Sequence, residues 1–101
     1  MTVTDNGIIW LSTTHLAWLA HISQSPVVID NGVISQLIKK GLVERGETGE
    51  LFLTAKGEPY GVIAMRFTQA VKENPLMTVD ERASLNFELH RNYRNSLSGP
   101  S

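Results

Sequence analysis

Between Asn31 and Gly57 the chain carries start, stop and turn signals so closely spaced that few folds satisfy all of them. Asp30 or Asn31 can cap a helix whose apolar positions, Ile34, Leu37 and Ile38, recur at helical spacing. Lys39 and Lys40 suit its C-terminal dipole, and Gly41 stands just past its end. Gly41 can take the left-handed conformation that turns a helix end into a strand. Leu42 to Arg45 and Glu50 to Thr54 then read as two short strands joined by Gly46-Glu47-Thr48-Gly49, whose paired glycines supply the positive φ of a tight hairpin. Leu51 and Leu53 alternate with Phe52, so one face of the hairpin is apolar, and Thr54 is placed to cap the next helix.

The flanks are helical by the same reasoning. Gly7 to Leu11 is a short apolar run that reads as a strand or as the lead-in to a helix. Ser12, Thr13 or Thr14 can cap a helix to about Ser23, with Leu16, Leu19 and Ala20 on one side and Trp18 and Ile22 widening the arc. Ser25-Pro26 ends it, and Val27-Val28-Ile29 is extended. Beyond Gly57, Tyr60, Ile63, Phe67 and Ala70 or Val71 predict a helix to about Asn74, closed by Pro75. Thr78 and Glu81 form a capping box for a last helix that carries Leu85, Leu89 and Tyr93. Residues 1–7 and the tail from Ser96 read as loose ends.

With 101 residues the chain is one domain, able to hide roughly 65% of the surface its unfolded form exposes. At 42% hydrophobic and 19% charged it has an ordinary globular composition. The lack of cysteine excludes disulfide scaffolds, cysteine-bearing zinc sites and thiol nucleophiles, and fits a reducing compartment. The uncharged run from Asn6 to Ile29 is too polar to cross a bilayer and lacks the pattern of a secretory signal, so a cytoplasmic location is expected. Residues 1–38 contain no Lys or Arg, whereas 39–101 carry all nine with eight of the ten acids. A dedicated nucleic-acid binder usually concentrates cations on one face, because phosphate neutralisation supplies most of its affinity.

The run from Val33 through Gly41-Leu42-Val43-Glu44-Arg45 to Leu53-Thr54-Ala55-Lys56-Gly57 resembles the stretch from recognition helix through wing in winged helix-turn-helix domains of the multiple-antibiotic-resistance regulator (MarR) type and related small bacterial and phage proteins. The resemblance covers about 25 residues well and Thr13 to Val71 loosely. It implies a mostly helical α+β fold, with a winged-helix part at about 8–57, a two-stranded wing, two further helices over about 58–96 and a flexible tail at 97–101. It also implies a small DNA-binding regulator that acts on double-stranded DNA as a homodimer through its C-terminal helices. Two features depart from the family pattern. Only one clear helix precedes the presumed recognition helix, and Glu47 and Glu50 stand at the wing where family members often place arginines.

On the DNA reading the candidate contacts are Asn31, Ser35, Gln36, Lys39 and Lys40 on the helix, with Arg45 and Lys56 at the base of the wing. The alternative is a winged-helix scaffold used for protein–protein interaction without DNA, as in a phage inhibitor of a host complex of the anti-CRISPR-like kind. Its candidate contacts are Trp10, Trp18, Phe52, Phe87 and Tyr93. Leu85, Phe87, Leu89 and Tyr93, with Tyr60, Met65 and Phe67, are more apolar positions than one stripe needs and suggest a face that buries against a second copy. His90, Arg91 and Arg94 read as a basic helix end. A catalyst is not expected: His15 and His21 lie on different faces, and Ser12 beside His15 is explained by N-capping. Nothing in the pattern calls for a metal or a cofactor. A coherent positive stripe over Lys39, Lys40, Arg45 and Lys56 favours DNA, whereas cancellation by Glu44, Glu47 and Glu50 favours protein.

Overall fold

The first helix, α1 (Thr13–Gln24), begins where the Ser12 Oγ accepts the backbone N–H of His15 at 3.2 Å, filling one of the donors a helix start leaves open. In this computed structural model, which describes residues 8–25 and 27–98, the order continues as α2 (Gly32–Lys39), β1 (Val43–Arg45), β2 (Leu51–Leu53), α3 (Glu58–Glu73) and α4 (Val79–Ser98). The architecture is α+β and 61% helical, with one two-stranded antiparallel sheet. Pro26, residues 1–7 and residues 99–101 lie outside the described residues, and with them most of the two segments expected as loose ends.

Local signals set most of the boundaries. Asn31, not Asp30, caps α2, its Oδ1 accepting the Ile34 N–H at 2.9 Å. Gly41 has φ 81° and carries the chain from α2 into β1. The strands pair with Val43 opposite Leu53, Glu44 opposite Phe52 and Arg45 opposite Leu51, which buries Val43 and Leu51 and leaves Glu44 and Phe52 outside. Segment 27–29 lies alongside, the Leu51 N–H bonding to the Val27 carbonyl at 2.9 Å. Thr54 holds the exit of the hairpin by donating its hydroxyl to the Gly41 carbonyl at 2.6 Å and accepting the Gly57 N–H at 3.0 Å.

Two expectations need correction, and a third resolves between its alternatives. Only Gly49 of the hairpin pair has positive φ, 93°; at Gly46 the missing side chain makes room for Phe52, whose Cε2 would stand 2.8 Å from a Cβ there. Of the two readings of Gly7 to Leu11, the described part, Ile8 to Leu11, is the lead-in to α1 rather than a strand, an irregular arm with no helical turn of its own. The last helix runs through Ser98 rather than ending near Ser96, since no Gly or Pro interrupts it before Gly99.

The core lies between α1 and α3, the most extensively packed pair, with α2 and the hairpin closing one end. Leu16, Leu19, Ile34, Leu37, Leu42 and Leu51 are fully buried. Each contributes roughly 1.5–3 kcal/mol by leaving water. Leu85, Leu89 and Tyr93 lay α4 against this core from the side. No described helix is long and apolar enough to cross a membrane.

Candidate functional site

Three of the seven candidate DNA contacts, Asn31, Gln36 and Arg45, are engaged in internal bonds. Asn31 spends its side-chain oxygen on the cap. Gln36 Oε1 lies 2.8 Å from His15 Nε2, and His15 Nδ1 lies 2.6 Å from Ser12 Oγ, so these three side chains strap α2 to the start of α1. The Arg45 guanidinium donates to the carbonyls of Ile29 and Gly49, each at 3.3 Å, and stands 3.6 Å from the Asp30 carboxylate. It ties the hairpin tip to segment 27–30. Ser35 and Lys39 are exposed, Lys40 is half-buried at the helix end, and exposed Lys56 lays its chain across Gly41.

The ion pair on this face joins Arg45 to Asp30, and in the chain between residues 39 and 56 Lys39, Lys40, Arg45 and Lys56 are interspersed with Glu44, Glu47 and Glu50. A bond from the Thr48 side chain holds the Glu50 carboxyl below its ordinary pKa.

The aromatic candidates separate into three groups. Tyr93 turns inward and meets Tyr60 edge to face at 5.3 Å, and Trp18 is half-buried with its edge toward His21. Phe52 is exposed alone on the hairpin. Trp10 and Phe87, 77 positions apart in the chain, stack at 5.3 Å with planes 18° apart, and both are exposed. Arg94 stands 5.8 Å over the Trp10 ring and Arg91 5.7 Å over that of Phe87. Two rings and two guanidinium groups thus form one continuous surface where the arm crosses α4.

This surface is built on a buried polar clasp. Leu11 donates its N–H to His90 Nε2 at 3.1 Å, and its carbonyl accepts from Asn86 Nδ2 at 2.9 Å. Because a backbone N–H can only donate, Nε2 is the unprotonated nitrogen and Nδ1 donates to the Asn86 carbonyl at 2.8 Å. Tyr60 accepts the Ile9 N–H at 2.8 Å. Three backbone groups of the arm are thus bonded by three side chains, much as a neighbouring strand would bond them. Burial drives the His90 pKa below its ordinary value and raises that of Tyr60.

Two sequence expectations fail here. His90 is fully buried between Trp10 and Tyr60, not part of a basic helix end. The face assigned to a second copy is mostly the protomer's own core: Tyr60 and Phe67 are buried, and Leu85, Leu89 and Tyr93 pack on them, leaving Met65 and Phe87 outside.

No protein-family model, curated protein or solved structure matches the chain. Among the described residues no three His, Asp or Glu side chains gather as metal ligands do. Sequence reasoning missed the clasp, although Asn86 and His90, four apart on a helix, share one face and gave the available signal.

Proposed function

We propose that this chain is a small, non-catalytic protein-interaction domain of winged-helix type, whose docking surface is the Trp10–Phe87 stack with Arg91 and Arg94. The single observation that carries the reading is that stack: two exposed rings held rigidly by a buried clasp and flanked by guanidinium groups. Trp, Arg and other aromatics dominate protein interfaces because they offer large contact area with few rotatable bonds. The mixed charge of α2 and the hairpin supports the same reading, since Glu44, Glu47 and Glu50 among Lys39, Lys40, Arg45 and Lys56 leave little excess positive charge there to neutralise phosphates. Covering a partner's surface is also how a phage inhibitor of a host complex would act.

Duplex DNA binding is the second reading. Ser35 and Lys39 favour it, being exposed side by side with the rest of the outer face of α2. A fluorescence titration with mixed-sequence duplex at about 50 mM salt separates the two readings. The protein reading expects negligible affinity there. Tight binding that weakens steeply with salt and is lost in Lys39→Ala would overturn it.

A further inference from the structure

The strap between α1 and α2 has a bonding order that N-capping leaves unexplained. Capping requires the Ser12 Oγ to accept, and it does so from the His15 N–H at 3.2 Å. The hydroxyl hydrogen is left for a different partner, His15 Nδ1, which lies 2.6 Å away. On the other side of the ring, Nε2 lies 2.8 Å from Gln36 Oε1. An amide oxygen can only accept, so Nε2 carries the proton of the ring and Nδ1 is the bare nitrogen that faces the hydroxyl.

A hydroxyl, an imidazole base and a third group that fixes the tautomer of the base stand in the order that activates a serine nucleophile. Compared with the familiar serine relay, the two ring nitrogens are exchanged and a neutral amide takes the third place. Ser12 is exposed and His15 is half-buried, so the hydroxyl is open to a small reagent while its base is held on both sides. The N–H groups of Thr13 and Thr14 are among the first of α1, which a helix leaves without internal acceptors, and no acid stands in that turn. Charge developing on a carbonyl oxygen at Ser12 therefore meets donors rather than a carboxylate.

We propose that Ser12 is an acyl-accepting nucleophile, with His15 as its base and Gln36 as a positioning residue, and that the acyl donors it takes are activated esters. In the transfer, Ser12 Oγ bonds to the acyl carbon as its hydrogen passes to His15 Nδ1. The bond from that carbon to the leaving oxygen then breaks as the carbonyl re-forms, and the leaving oxygen takes the proton from Nδ1. The products are an ester on Ser12 and a free alcohol or phenol. The transfer is a single step without turnover and uses none of the side chains of the docking surface, so it goes beyond the protein-interaction reading and stands or falls separately.

The test exposes the full chain to p-nitrophenyl acetate for timed intervals and maps acetyl groups by peptide mass spectrometry, with circular dichroism to confirm folding. Ser12 should be acetylated well before Ser35 and Ser84, which are equally open to solvent. Ser12→Asp keeps an N-cap acceptor and should lose the modification at position 12 while remaining folded. His15→Phe should slow acetylation of Ser12 on the order of a hundredfold. Gln36→Glu sets a carboxylate where it stabilises the imidazolium and should speed acetylation several-fold, whereas Gln36→Leu should slow it. A strap of purely structural value predicts no gain from that carboxylate. Acetylation of Ser12 no faster than that of Ser35 and Ser84, an unchanged rate in folded His15→Phe, or a Gln36→Glu no faster than the native chain overturns the assignment.

Discussion

His90 has no solvent around its ring and two backbone groups bonded to it, so its protonation state is tied to the fold. Burial lowers its folded pKa from the ordinary 6.5, which means the unfolded chain takes up a proton first as pH falls. The contribution to stability is full above about 6.5 and declines as pH drops from there toward the lowered folded value. His90→Gln keeps an acceptor for the Leu11 N–H but removes the titration. Denaturant midpoints measured from pH 7.5 to pH 5 should fall for the native chain and flatten for the variant. Gly57 shows a different kind of constraint, since a Cβ there would sit 2.0 Å from the Leu42 carbonyl oxygen. Gly57→Ala should cost about 1–3 kcal/mol or more because backbone must move. Gly32→Ala, where nothing lies within 4 Å, is the matched control and should be neutral or gain a few tenths to about 1 kcal/mol in the same measurement.

Elements built from local signals are those whose sequence was most readable. The Thr78–Glu81 capping box closes both ways, at 2.8 and 3.1 Å, because its partners are three residues apart and need no tertiary help. Thr78→Ala should cost about 0.5–2 kcal/mol, read as a shift in the thermal midpoint. The helix, glycine and hairpin from Asn31 to Leu53 were legible from spacing for the same reason. The arm was not, since Ile8–Leu11 makes no regular ladder of its own and finds its partners 51, 75 and 79 residues away. An apolar pentapeptide shows that it will be buried, but not against what. Asn86→Ala should leave α4 helical while detaching the arm. Its signature is faster hydrogen exchange at Leu11 with little change in far-ultraviolet circular dichroism.

For the whole molecule, a near-even charge total of nine cations and ten acids becomes informative once the side chains have places. Arg45 is turned to holding the hairpin, Gln36 to joining α1 and α2, and Asn31 to capping, so the face that resembles a recognition surface has little left with which to read a base. Arg91 and Arg94, which sequence spacing alone assigned to a helix end, instead lie over exposed rings. Tyr60 and Phe67, expected on a face that buries against a second copy, are buried within the chain, whereas Phe87 stays exposed. Two surfaces therefore make opposite claims on function, and site-specific photo-crosslinking in the cells that carry the protein compares them directly. A photoreactive amino acid is placed at Phe87 in one variant and at Ser35 in another. Protein adducts are expected from position 87, and no DNA adducts from position 35. DNA adducts from position 35 with no protein captured from position 87 would refute the protein-interaction reading.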